Sequence, residues 1–196
     1  SGLGAVMGSK KLKAVVAERA QLKIPVADPE RLKSLAKSMY ETAMKAMPTL
    51  SSGGTASGYP ILYRGGQLPV KNYTTNIFPE FEKFGPDWLR TRFNVTPTSC
   101  WGCRIAHCRM TEVTEGPYKG YVGEEPEYEA LAGMSAAIGN TDPGATVMLG
   151  NEIDRLGMDV NESSYTISWM MECYEKGLLS KDDLDGLEMM WGNVEA

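Results

Sequence analysis

Three of the four cysteines fall within Cys100-Trp101-Gly102-Cys103-Arg104-Ile105-Ala106-His107-Cys108, a C-x2-C-x4-C spacing. A close first pair and a third thiol that returns after a turn let one loop fold its thiolates around a single centre, and three thiolates favour a soft metal. A secreted disulfide framework would spread its pairs through the fold, so the clustering speaks for metal rather than cystines. The spacing leaves two metals open. An iron–sulfur cluster usually takes four cysteines, whereas zinc accepts three cysteines plus a histidine. The single histidine, His107, adjoins Cys108, where it is either a fourth ligand in an awkward position or a surface residue beside one. Reduced, unligated thiols are the third reading.

Two further groups carry carboxylates. Glu124, Glu125, Glu127 and Glu129 follow the cysteine loop. Composition alone makes such a run a solvated surface, but Pro126-Glu127-Tyr128-Glu129 could also set a carboxylate near a reacting centre. Asp154-Arg155-Leu156-Gly157-Met158-Asp159 reads equally as a helix end with a glycine cap or as two acceptors flanking a close-approach glycine, suited to a ligand rich in N–H donors. Cys173, among Met170, Met171 and Tyr174, reads as a small apolar core residue.

The elements that must position these groups are mostly helical. Asp28 can cap and Pro29 open a helix carrying Leu32, Leu35, Met39 and Met47 on one face. Residues 51–60 break all periodicity and predict a long irregular connection through Pro69 and Asn76. Phe81, Phe84, Trp88, Leu89 and Phe93 form a short aromatic helical pattern, interrupted at Gly85-Pro86, that anchors the cysteine loop. A hairpin is expected over 116–123, and a helix from Glu127 to Ile138 ending at Gly139. Two more follow, from Asp142 or Pro143 to Leu156 with Gly157 as terminator, and through Ile167, Met170, Met171 and Tyr174 to Gly177. Ser180-Lys181-Asp182-Asp183 resembles a capping box with Asp for Glu. The opening 1–16 reads as a glycine-rich turn and then a strand with no early partner. The expected fold is therefore mainly α: a multihelical domain with a short N-terminal β segment and long irregular loops.

Composition narrows the function classes. The chain has 196 residues, 42% apolar and 23% charged, with a formal charge of −5 and no basic run. These values fit a folded domain and argue against a nucleic-acid binder or membrane-surface helix. No apolar stretch approaches a membrane span and no signal-peptide core is present, so a cytoplasmic location is expected. The missing initiator Met leads us to expect a piece of a longer polypeptide.

Taken in order, these segments resemble the tungsten-dependent aldehyde:ferredoxin oxidoreductase family over almost the whole chain. The resemblance rests on residues 2–14, Leu68-Pro69-Val70-Lys71-Asn72-Tyr73, the Cys100 to Cys108 loop, Pro126-Glu127-Tyr128-Glu129, Asp154 to Asp159, and Glu172-Cys173-Tyr174-Glu175-Lys176-Gly177-Leu178-Leu179. It implies that residues 1–18 end a β-rich pterin-binding domain and that 19–196 form a helical domain carrying the cluster loop and the first pterin motif. It also implies a tungsten ion held by two pterin dithiolenes (a molybdopterin-type cofactor) beside a [4Fe-4S] cluster. Cys100, Cys103 and Cys108 would be three of the four cluster ligands. Asp154, Gly157, Met158 and Asp159, with Gly4 and Ala5, would face the pterin. The active-site glutamate would be Glu129, with Glu127 next. Implied partners are ferredoxin or an electron-transfer subunit, a small aldehyde substrate, and the remaining domains of the same polypeptide.

The pattern departs from the family in five respects. Cys108 arrives one residue later than the usual C-x2-C-x3-C, and Met158 stands where Leu is usual. The fourth cluster cysteine lies in a later segment for which Cys173 is no counterpart. The Glu-x-x-His metal motif is absent, and most of the N-terminal domain and the third domain are missing, so this chain alone is expected to be inactive. The late cysteine with Trp101 and 104–107 is similar to the tungsten subunit of class II benzoyl-coenzyme A reductases, which implies an aromatic acyl-coenzyme A substrate as the close alternative. A zinc-stabilised, non-catalytic interaction module built on Cys100, Cys103, Cys108 and His107 is the rival from another class.

Overall fold

The computed structural model describes residues 3–18 and 24–196. Its helices are α1 (Leu3–Ser9), α2 (Pro29–Ala46), α3 (Leu50–Gly53), α4 (Gly58–Arg64), α5 (Pro86–Arg92), α6 (Tyr128–Gly133), α7 (Pro143–Arg155) and α8 (Val160–Glu175). Strands β1 (Asn94–Pro97), β2 (Arg109–Glu112) and β3 (Val122–Glu124) form one small antiparallel sheet in sequence order, with Asn94 opposite Glu112 and Glu112 opposite Val122. The mainly α class holds, and no described helix is long and apolar enough to cross a membrane.

The N-terminal β segment does not form among the described residues. Residues 3–9 are helical, and Val15 and Val16 beyond them are exposed without a strand partner. A strand needs a neighbour to satisfy its N–H and C=O groups, and among the described residues the one sheet is formed within 94–124. Helix α1 satisfies its backbone internally instead. Ser1, Gly2 and the expected domain boundary at 18/19, which abuts residues 19–23, lie outside the described residues.

The stretch 51–60 also departs from expectation, forming short helical pieces rather than an irregular connection. Long-range burial supplies what local periodicity lacks. Tyr59 is fully buried, stacks on Phe84 with centroids 5.4 Å apart, and shares a 2.7 Å hydrogen bond with buried Ser135. That bond also explains why the helix expected from Glu127 to Ile138 breaks. Ser135 leaves helical backbone, its hydroxyl is claimed by Tyr59 and the Leu131 carbonyl, and a 3-10 turn at Ala136–Ile138 resumes before Gly139 at φ +73.

The remaining signals match local structure. Asp28 accepts the Arg31 N–H at 2.9 Å to cap α2, and Asp142 caps α7 through the Gly144 and Ala145 N–H groups. Gly116 and Gly120, at φ +76 and +92, turn the β2–β3 hairpin. The Ser180 N–H and hydroxyl both donate to Asp183, the capping-box geometry with Asp in place of Glu. Phe84, Leu89, Phe93, Val113, Leu131 and Val147 join Tyr59 in the main core, which the aromatic residues on either side of Gly85-Pro86 help to fill. A second cluster around Ile138, Met171, Leu184 and Met189 closes α8 against the C-terminal turns. Helix α2 buries none of its residues, and its Leu32, Leu35 and Met39 face remains exposed.

Candidate functional site

The cysteine loop is an excursion from the β1–β2 hairpin. Thr98 N donates to Cys108 O (3.0 Å) across its base, and Cys103 N donates to Cys100 O (3.0 Å) to close the first turn. Gly102 and Ala106 take left-handed backbone at φ +74 and +52, which folds the chain back on itself. Arg109, the first residue of β2, braces the return. Its Nη1 donates to Ala106 O (2.6 Å) and Cys108 O (2.8 Å), and its Nη2 to Ser51 O (2.6 Å). All three thiols are free; Cys100 is exposed and the other two half-buried. The Cys108 thiol is pushed above its ordinary value by partial burial, then by the Cys100 thiol and the carboxylates of Glu127 and Glu124. A bound cation would reverse that bias.

The acidic run divides into paired and unpaired carboxylates. Glu125 receives a bidentate grip from Arg90, whose Nε donates at 3.1 Å and Nη2 at 2.6 Å, with the side chains only 7% and 15% exposed. Glu127 stands at the N-cap of α6. Its Oε2 accepts from the Thr55 hydroxyl, which itself accepts the Tyr128 N–H at 2.9 Å, and its Oε1 lies 3.0 Å from His107 Nε2. Glu129, in the first turn of α6, is exposed and makes no hydrogen bond or ion pair among the described residues. Asn151 of α7 holds the run in place. Its Oδ1 accepts Glu124 N at 2.9 Å and its Nδ2 donates to Glu124 O at 3.0 Å, so one side-chain amide acts as a strand partner for the end of β3.

The α7–α8 corner carries the third group. Gly157 sits at φ +69, where the turn requires left-handed backbone. Gly4 of α1 packs backbone to backbone against it: a Cβ on Gly4 would lie 2.8 Å from Gly157 O, and one on Gly157 would lie 3.0 Å from Gly4 Cα. This contact seats α1 at the corner and brings Ala5 into a pocket of about 550 Å³ with Gly157, Met158, Asp159 and Ile167. Asp159 caps α8 by accepting the N–H groups of Asn161 (3.0 Å) and Glu162 (3.1 Å), which occupies one of its oxygens. Asp154 is exposed, and its carboxylate has no hydrogen-bond partner among the described residues.

A second cleft, of about 350 Å³, lies on the other side of that corner. Cys108, Glu124, Glu127, Glu129 and Asp154 all line it. One side chain from the cysteine loop, the candidate glutamates and the first acid of the 154–159 motif therefore share one space. Cys100 and Cys103 do not line it, and Gly4, Ala5, Gly157, Met158 and Asp159 gather at the neighbouring pocket instead. The cleft is electronegative: Arg90 is committed to Glu125 and Arg109 to backbone carbonyls, while Glu129 and Asp154 are unpaired. Such a space suits a bound cation or a proton-accepting role. Thr55, Arg90, Arg109 and Asn151 shape the site without any local sequence signal, because their partners lie 73, 35, 58 and 27 residues away.

A family model described as aldehyde ferredoxin oxidoreductase, domains 2 and 3, matches residues 30–196. An aliphatic sulfonate oxidoreductase, WOR-like subunit, from Pyrococcus furiosus is 31% identical over 196 residues, covering all of this chain and 31% of that protein. A tungsten-containing aldehyde ferredoxin oxidoreductase from Thermococcus kodakarensis is 30% identical over 200 residues, covering all of this chain and 32% of its own length. The protein of the same description from Pyrococcus furiosus is also 30% identical, over 99% of this chain and 32% of its own. The chain thus spans about a third of the length of the curated relatives it matches.

Proposed function

The chain belongs to the aldehyde ferredoxin oxidoreductase family, and from that membership we propose that it is the part of a tungsten–bispterin enzyme that holds an iron–sulfur cluster beside a proton-accepting carboxylate. The whole enzyme oxidises an aldehyde to the carboxylic acid and passes the electrons to ferredoxin. The observation that carries this reading is the cleft shared by Cys108, Glu129 and Asp154.

The residues fit the groups. Cys100, Cys103 and Cys108 are three soft donors on one braced loop, yet they are not a set whose donor atoms all lie within 4.8 Å of one another. A four-iron cluster offers a separate iron to each sulfur and so accepts a wider spacing than a single tetrahedral ion does. At the corner, the close Gly4–Gly157 packing holds α1 in place, and the pocket lined by Ala5, Gly157, Met158 and Asp159 beside it is the space a ligand would occupy. Asp154 and Asp159 supply acceptors of the kind a heterocycle with N–H donors requires.

When bound, the tungsten–pterin centre supplies a two-electron acceptor and the cluster a one-electron relay. The protein's share is positioning and proton transfer. Glu129, unpaired at the cleft, accepts the proton released as water adds to the substrate carbonyl. Glu127, already held by Thr55 and placed beside His107, orients the α6 terminus that presents Glu129. The electronegative wall favours the departure of the carboxylate product.

The relatives' names support tungsten and oxidoreduction, and two of the three name an aldehyde ferredoxin oxidoreductase. In the full-length enzyme, Glu129→Gln should lower kcat roughly 10²–10⁴-fold with iron and tungsten contents unchanged, and Glu127→Gln should cost less. Full turnover in Glu129→Gln would refute the assignment.

A further inference from the structure

Independently of the cluster reading, we propose that His107 Nε2, Cys108 Sγ and Glu127 Oε1 form a site for one zinc-class divalent cation, which fastens the cysteine loop to the start of α6 when no cluster is present. Among the described residues, this is the set of His, Cys, Asp and Glu donors whose atoms all lie within 4.8 Å of one another. His107 Nε2 lies 3.7 Å from Cys108 Sγ and 3.0 Å from Glu127 Oε1. With metal–nitrogen and metal–oxygen bonds of about 2.0–2.1 Å and a metal–sulfur bond of about 2.3 Å, a tetrahedral ion spaces its ligand atoms roughly 3.4–3.6 Å apart. The two measured separations bracket that range, and the third, between Cys108 Sγ and Glu127 Oε1, lies within 4.8 Å, so side-chain adjustment alone can close the set around one ion.

Charge and rigidity point the same way. A thiolate, a neutral imidazole and a carboxylate carry two negative charges together, which a divalent ion neutralises. Both sides of the site are braced from outside it. Arg109 grips the carbonyls of Ala106 and Cys108 on either side of His107. Thr55 holds the second oxygen of Glu127 and is itself held by the Tyr128 N–H. Such outer partners orient metal ligands and raise affinity. The His107 and Glu127 side chains remain 26% and 47% exposed, so water reaches the fourth coordination position. This ligand set differs from a three-cysteine zinc site. Cys108 belongs to both this site and the cluster loop, so ion and cluster exclude each other.

The test is anaerobic titration of the reduced, chelator-treated 196-residue chain with Zn²⁺ and with Co²⁺ as a spectroscopic probe, with circular dichroism as the check on folding. We expect one ion per chain and a thiolate-to-cobalt charge-transfer band. The band should be lost in Cys108→Ser, and affinity should drop in His107→Gln and Glu127→Gln. Thr55→Val should weaken binding about 10–100-fold, whereas Cys100→Ser and Cys103→Ser should bind as the parent does. Two results would overturn the site: a folded parent chain that takes up neither metal, or metal lost in Cys100→Ser and Cys103→Ser but kept in His107→Gln and Glu127→Gln. Because no readout is turnover, failure here leaves the proposed oxidoreductase function to its own test.

Discussion

Arg90 and Glu125 tie α5 to the end of β3, and with it the acidic run that lines the cleft. With the two side chains 15% and 7% exposed, the pair is buried rather than a surface bridge. Removing one partner of a buried pair strands the other charge and costs about 3–5 kcal/mol, whereas replacing both with apolar residues of similar size is close to neutral. The remaining 15% exposure of Arg90 sets the expectation for Arg90→Met at the lower end, about 3 kcal/mol. At roughly 2–4 °C per kcal/mol for a chain of this size, Tm falls by about 6–12 °C. Arg90 Nη1 is buried without a hydrogen-bond partner, so removing the arginine also relieves an unsatisfied donor. Glu125→Leu, which strands the whole guanidinium, should therefore cost more than Arg90→Met. Urea and thermal unfolding followed by circular dichroism on both single variants and the Arg90→Met/Glu125→Leu double variant give the cycle. The double should recover most of the loss. Single variants that cost less than about 1 kcal/mol would place the pair with exposed bridges and refute the reasoning.

Gly4→Ala forces a Cβ to 2.8 Å from Gly157 O, and overpacking of this kind costs about 1–3 kcal/mol. Because α1 buries no residue, the outcome should be detachment of α1, read as faster proteolysis near residues 3–12 with little change in global Tm. Asn151→Ala removes both side-chain bonds to the Glu124 backbone and should destabilise by about 1–2 kcal/mol, with amide exchange quickening at Glu124. The Glu172 carboxyl is held below its ordinary 4.5, first by Lys176 and then by the Asn72 amide. A depressed carboxyl contributes stability that is present above pH 4.5 and lost as pH falls through the lowered value. Asn72→Ala should shift the acid-unfolding midpoint upward, and an unchanged midpoint would count against that contact.

The parts of the structure that local chemistry decides were readable in advance. Asp28-Pro29 and Asp142-Pro143 begin helices because a carboxylate accepts free N–H groups and proline tolerates the first turn. Gly157 and Gly177 end α7 and α8 because each turn needs positive φ. The misreadings share a different cause. Residues 51–60 carry no periodic signal, yet Tyr59 buries itself between Phe84 and Ser135 and draws them into short helices. The opening reads as a strand on β-branched composition, but Val15 and Val16 stay exposed and pair with no strand among the described residues, and residues 3–9 form a helix whose Gly4 packs on Gly157. The candidate site divides in the same way. Its donors stood out by type and spacing. Its frame did not, because Thr55, Arg109 and Asn151 act on segments that only the tertiary fold brings near.

The central claim is that Cys100, Cys103 and Cys108 grip an electron-relay cluster beside the cleft of Glu129 and Asp154. Iron and acid-labile sulfide, measured in the anaerobically purified full-length polypeptide and in its Cys100→Ser, Cys103→Ser and Cys108→Ser variants, test it most directly. We expect a coloured parent with about four irons and four sulfides per chain, and loss of both in each variant. A colourless, iron-free parent, or iron and sulfide contents unchanged when these sulfurs are removed, would contradict it.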